Sequence, residues 1–315
     1  MGSDWLLIEQ FGGTDEPSII AIGAASRPFA PLRRVIRSQT HRRIIETALA
    51  TMNERPQPAP LDFVQAGTRY ILRPLTDYLG WTPSVLVHYD SDQSPVPAPP
   101  ECGAWHFNVT ANTAHGSNEL LDLYRVPQHK RNTGRPLFEA FGRLVGDDAE
   151  AVAKLIEKRP GVTHQATEKV QTDAGDVWLA HYSCRFVQRE HDILLHGTTR
   201  KVGPADEDTT DVLTTAILQA HVLPKVYRAV VEPGTGNILR NLDGFPPHAV
   251  QKGNVLDVVD PDSRDRAAET LRTASETDFV VLRLNDITVG GNPAKAELYP
   301  MTVASVRAIL VVTYI

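Results

Sequence analysis

The feature that most constrains this chain is a short pattern that recurs three times. Val258 to Arg266 reads VVDPDSRDR: an apolar strand end, a proline turn, an Asp placed to cap a helix, and the opening of that helix. Leu144 to Leu155 (LVGDDAEAVAKL) and Val35 to Leu49 (VIRSQTHRRIIETAL) show the same apolar pair, polar turn and amphipathic helix. Two or three β-prone runs follow each copy before it closes. A repeat of roughly 100 residues fits a 315-residue chain, too long for one small domain and comfortable for two or three.

Read in order, the first unit spans 1–90. WLLIEQF and SIIAIG flank the turn-rich GGTDEP and predict a hairpin. A helix from about Leu32 to Asn53 follows, with Val35, Ile36, Ile44, Ile45, Ala48, Leu49 and Met52 near helical spacing. LDFVQAG, TRYILRPL and PSVLVHYD complete it as strands. The proline-dense stretch 91–102 predicts a stiff linker.

The second unit, 103–203, opens with GAWHFNVTANTAHGS, adds the short Leu-rich helix NELLDLYRVP, and ends in a meander of THQATEKVQ, DVWLAHYSCRFVQ and DILLHGTTRKV. Residues 204–224 are an acidic linker with a helix from Asp211 to Leu223, and 225–315 form the third unit. It starts with VYRAVVEPGTGNILRNL, a hairpin, and closes on strands.

Composition excludes several classes. A net charge of −6 argues against wholesale nucleic-acid or membrane binding. The N-terminus lacks a basic region and long apolar core, and no segment approaches the roughly 18 apolar residues of a membrane span. Two cysteines, Cys102 and Cys184, make neither a disulfide framework nor a metal cluster. These features predict a cytoplasmic protein.

The middle unit resembles a PAS domain in the order, spacing and residue type of GAWHFNV, SNELLDLYRVP, LVGDDAEAV, EKVQTDAGDVWLAHYSCRFVQ and DILLHGTTRKV. In the third unit VVDPDSRDR is similar to the turn before the last long helix of many PAS domains, with Asp260 where a histidine usually stands. The layout resembles actinobacterial proteins of tandem PAS-like or GAF-like sensor domains without an output domain. The resemblance implies an α+β fold: three tandem PAS-like domains, each an antiparallel sheet with covering helices, the outer two degenerate. The outer units have shorter stretches between hairpin and helix, so the resemblance leaves a pocket wall only in the middle unit.

Individual motifs carry less. Cys184-Arg185-Phe186-Val187-Gln188 resembles the thiol motif of flavin-binding photoreceptors, but it lies in a strand, where Trp178, Tyr182, Cys184 and Phe186 share one face. His164, His181, His191 and His196 lack paired ligand spacing. Asp147, Asp148, Asp260 and Asp262 read as helix caps and first-turn carboxylates. Arg33, Arg34, Arg37, His41, Arg42 and Arg43 form the one dense basic run, read as a solvated helix face, with binding of an acidic partner, a nucleotide or nucleic acid as the alternatives. PGTGN lacks the Lys-Ser/Thr of a phosphate loop, and no hydrolase elbow, kinase or cyclase signature is present.

The sequence therefore predicts a non-enzymatic sensory or regulatory protein that binds a small molecule in the middle unit and signals through a regulatory protein partner. Trp105, Phe107, Leu121, Tyr124, Trp178 and Tyr182 are its candidate ligand-binding residues. No cofactor or metal is named, no membrane or nucleic-acid partner is expected, and a homodimer is left open. The alternative is a ligand-free PAS-based interaction scaffold.

Overall fold

A computed structural model describes residues 4–12, 17–54, 58–77, 79–131, 134–145, 153–154, 156–205, 226–242, 253–276, 281–289, 291–303 and 306–314. The expected opening hairpin is β1 (Leu6–Glu9) and β2 (Ser18–Ile22). SRPFAP forms a further strand, β3 (Ala25–Pro31), paired with β2. The single predicted helix is two, α1 (Leu32–Val35) and α2 (Gln39–Asn53). The break falls at Ser38, whose hydroxyl accepts from the His41 N–H at 3.3 Å and starts α2 afresh. With β4 (Leu61–Gln65), β5 (Thr68–Leu75) and β6 (Ser84–Ser91), the first sheet runs β3-β2-β1-β6-β5-β4.

This sheet is apolar on both sides. Leu6, Ile8, Ile19, Leu72 and Val87 pack against Ile45, Leu49 and Met52 of α2. Trp5, Leu7, Ile20, Ile71 and Leu86 pack instead with Cys102 and Ala104 of β7 (Cys102–Asn108). Burial on both faces is why WLLIEQF and SIIAIG read as continuous apolar runs rather than alternating ones.

Next come β8 (Thr113–Gly116), α3 (Asn118–Leu123), β9 (Arg135–Pro136), α4 (Leu137–Phe141), β10 (Leu144–Val145), β11 (Thr163–Gln171), β12 (Val177–Arg189) and β13 (Asp192–Pro204). The long strands of the second sheet run β11-β12-β13-β7, all antiparallel. The third sheet contains β14 (Val226–Val231), β15 (Ile238–Asn241), β16 (Leu282–Val289), β17 (Asn292–Val303) and β18 (Val306–Tyr314), in the order β15-β14-β18-β17-β16. Its covering helix α5 (Pro261–Glu276) buries Ala267, Leu271 and Ala274 against Val231, Leu284, Ile287 and Ile309. Proline fits at the first helical position because the N–H it lacks there would have no intrahelical partner. The Asp260 carboxylate accepts from the Gly291 N–H at 3.3 Å, which ties the residue before α5 to the residue before β17.

The α+β expectation is overturned. Among the described residues, strand outweighs helix by 51% to 22%, in three antiparallel sheets of six, seven and five strands, and helices are few. The physical reason lies in what covers each apolar face: one side of the first sheet is closed by β7, where the PAS resemblance implied helices. The predicted helix Asp211–Leu223, Asp147, Asp148 and much of AEAVAKLIEK lie outside the described residues. No described helix is long and apolar enough to cross a membrane.

The chain divides into two compact units. One comprises Met1–Asn108, His115–Thr133 and Pro160–Ala205; the other comprises Val109–Ala114, Gly134–Arg159 and Asp206–Ile315. The helix α4, inside the 103–203 span of the sequence, thus belongs with the third sheet, and its Phe138 lies in that sheet's apolar core.

Candidate functional site

Alternation along β7 sends Trp105 and Phe107 to one face of the second sheet and Cys102, Ala104 and His106 to the other. Trp105 stands opposite Gly197, itself opposite Cys184; Phe107 stands opposite Leu195, itself opposite Phe186. Tyr182, Cys184 and Phe186 therefore share the face of Trp105 and Phe107. The Trp105 indole lies directly over Gly197, where a Cβ would come within 2.2 Å of the ring. It stacks on Phe107 at 4.3 Å and donates from Nε1 to Thr199 Oγ1 at 2.9 Å. Gly103 is covered in the same way by the backbone of Leu120, 2.3 Å from its would-be Cβ. With Trp105 and Phe107 only 7% and 8% exposed, this end of the face is filled by its own side chains.

The other end is more open. Trp178, 5% exposed, stacks on the half-buried Tyr124 at 5.6 Å. The Tyr124 carbonyl accepts from the Asp173 N–H at 2.9 Å, fixing the end of α3 to the turn before β12. Tyr182 is half-buried, its hydroxyl 3.2 Å from His164 Nε2. Leu121 is a buried residue of α3 whose side chain reaches Gly116. Trp178 precedes Cys184 by six residues, about 20 Å of strand. Five of the six predicted residues therefore form two groups, Trp105 with Phe107 and Tyr124 with Trp178, with Tyr182 between them; the sixth, Leu121, is buried on α3. Cys184 is a buried strand residue, as its two-residue periodicity predicted.

The opposite face of the sheet holds a polar set that sequence reasoning missed. The Asp77 carboxylate, its side chain wholly buried, is 2.5 Å from His106 Nδ1 and accepts from the Leu79 and Trp81 N–H groups at 2.9 and 3.0 Å. His115 stacks on His106 at 4.7 Å, and Trp81 lies 3.6 Å from His196 between ring centres. The His196 Nδ1 is 2.9 Å from the Phe11 carbonyl, so that nitrogen is the protonated one. Burial pushes His196 down to about 3 and His115 down to about 4. Burial also raises Glu9, against the opposing pull of Arg185 at 3.1 Å. His106 and His115 are visible in GAWHFNVTANTAHGS, but Asp77 and Trp81 come from the connection between β5 and β6, and no local signal joins them.

Chemically the set consists of three imidazoles and one carboxylate held by backbone donors. Among the described residues, no three His, Cys, Asp or Glu side chains are placed to hold a metal. The remaining sequence candidates lie apart: His181 bonds Thr167 Oγ1 at 2.9 Å, and His191 is exposed at the turn between β12 and β13. PGTGN joins β14 to β15 as a hairpin.

Residues 4–79 match the family model described as Rv3651-like, N-terminal. No curated protein matches the chain. A crystal structure of an uncharacterized protein from Mycobacterium tuberculosis aligns over 99% of this chain and 96% of its own, at 19% identity and a TM-score of 0.76. This chain has that protein's fold. A sensory box histidine kinase/response regulator from Burkholderia thailandensis E264 aligns over 39% of this chain and 93% of its own, at 16% identity and a TM-score of 0.28. An RNA-binding light-oxygen-voltage receptor aligns over 68% and 94%, at 10% identity and the same score. Scores that low are too loose to place either the fold or the site.

Proposed function

We propose that the chain is a non-enzymatic regulatory protein of the sensor kind, in which a small molecule binds at the Tyr124–Trp178–Tyr182 end of the second sheet. The observation that carries this reading is the contrast along one sheet face. Trp105 and Phe107 close one end as core, while Tyr124 and Tyr182 stay half-buried at the other with polar groups beside them. A half-buried aromatic wall with a few fixed polar atoms suits an apolar or aromatic ligand. The PAS-like motifs of residues 103–203 support the sensor half of the reading. Binding signals only insofar as the ligand prefers one arrangement of the chain over another, and the readout is contact with a regulatory protein in the cytoplasm.

The test is a thermal-shift screen of metabolites, with mass spectrometry of whatever accompanies the purified protein. A ligand at about 100 times its Kd stabilises by about 2.7 kcal/mol, and Tyr124→Ala should abolish the shift while Trp105→Phe keeps it. A shift indifferent to Tyr124→Ala, or no ligand at all, overturns the reading. A second reading, a ligand-free interaction scaffold, is favoured by the filling of Gly103 and Gly197 by Leu120 and Trp105. It expects no ligand and a mass by light scattering that rises with concentration.

A further inference from the structure

The outer edge of the first sheet carries features of a strand-docking site, on grounds separate from the small-molecule reading. β4 stands at the end of the strand order, and among the described residues no strand pairs with its outer side. Its row of backbone N–H and C=O groups is therefore a template for one more strand. Leu61 and Phe63 turn toward α2, while Asp62, Val64 and Gln65 are exposed. Between α2 and β4 runs a groove of about 340 Å³, lined by Arg43, Ile44, Thr47, Ala48, Leu61 and Phe63 among others.

Two observations say what fits there. The first is a cross-strand aromatic ladder that ends at the open edge. Phe63 stacks on Tyr70 at 5.3 Å and 15°, and Tyr70 on Tyr89 at 6.0 Å and 13°, each pair directly in register. His41 of α2 fixes the inner end, its Nδ1 2.5 Å from the Tyr70 hydroxyl and its ring 5.2 Å from Tyr89. An aromatic side chain on an added strand, opposite Phe63, continues the ladder into the groove. The second observation is charge. Arg43 lines the groove, is exposed and forms no ion pair among the described residues, whereas its neighbour Arg42 faces Glu46 at 3.7 Å. Arg33, Arg34 and Arg37 are exposed in the same basic run. A second copy of this chain is disfavoured as occupant, because pairing two β4 edges brings two such basic helices toward each other.

We propose that the β4 edge and the α2–β4 groove dock an extended segment of a partner protein, with an aromatic residue opposite Phe63 and an acidic residue beside Arg43. The segment adds a strand by main-chain hydrogen bonds, and the groove and Arg43 select its side chains. The probe is a displayed library of random peptides roughly ten residues long, about one strand, panned on the full chain. Enriched peptides should alternate aromatic or apolar residues with Asp or Glu, and should slow amide exchange in β4. Arg43→Glu should weaken them at least roughly tenfold. Thr47→Trp, which fills the groove from an exposed helix position, should abolish binding, with circular dichroism checking that each variant is folded. Failure to enrich any peptide overturns the proposal, as do peptides that bind both variants as well as the parent chain. A dimer in solution that either variant dissociates assigns the groove to a second copy and also overturns it. The thermal-shift response to Tyr124→Ala is a separate readout, so the peptide and small-molecule readings fail independently.

Discussion

His196 and Gly197 are neighbours on β13 that point to opposite faces, and each constrains the molecule at the level of a single residue. His196 is 1% exposed, and burial lowers its pKa from 6.5 to about 3. Between those values the unfolded chain takes up a proton that the folded chain refuses, so stability present above 6.5 is lost progressively as the pH falls toward about 3. His115, lowered to about 4 by burial and by His106, acts in the same direction. Glu9, raised by burial, acts oppositely: its contribution is full below 4.5 and is lost as the pH rises through its folded value. The urea midpoint should therefore fall between about pH 7.5 and about pH 5, and His196→Gln should flatten that slope; an unchanged slope would assign the proton uptake elsewhere. For Gly197 the issue is space, since an added Cβ meets the Trp105 ring at 2.2 Å. Gly197→Ala should cost about 1–3 kcal/mol by overpacking. In a Trp105→Leu background the penalty should shrink, as a double-mutant cycle in urea would show.

Between elements, β1 and β12 are joined by Arg185 Nη2 and Glu9 Oε1 at 3.1 Å, while Glu9 Oε2 accepts from the Phe11 N–H at 2.8 Å. Arg185→Met leaves a buried carboxylate without its cation and should cost about 3–5 kcal/mol, whereas adding Glu9→Leu should recover much of the loss. Denaturant unfolding of the two single variants and the double decides this, and additive losses would rule out the pair as a unit. Sequence showed these strands but not their meeting. Hairpins such as β1–β2 and β14–β15 were legible because turn residues sit between β-prone runs. β3 was not, because Pro28 and Pro31 read as loop, and an edge strand tolerates prolines that an inner one does not. The two-residue period placed Trp178, Tyr182, Cys184 and Phe186 on one face, but not Trp105 beside them or the filling of that face at Gly197 and Gly103. The Asp77–His106 pair was hidden for a similar reason: a pattern shows which face is apolar, and only packing shows what lies across from it.

At the scale of the whole molecule, the compact units do not follow chain order, and α4 shows why. PLFEAF lies between the Leu-rich helix and LVGDD, so chain order groups it with the second sheet. Phe138 nevertheless sits in a core with Val231, Ile238, Val255 and Leu271. Nearby, Asn112 Nδ2 donates to the Gly253 carbonyl at 2.8 Å, and a Cβ on Gly253, whose φ is +69°, would meet Pro136 at 2.7 Å. Lys158 pairs with Glu232 in the same unit. Three separate contacts thus fasten the 109–114 and 134–159 segments to residues beyond 226, and an apolar ring removed from that core leaves a cavity that only this unit feels. Phe138→Ala should cost about 3–5 kcal/mol and speed amide exchange in β14, β15 and α5, while exchange in β11, β12 and β13 stays as it was. Faster exchange confined to β11–β13 would return α4 to the second sheet and make the compact units follow chain order after all.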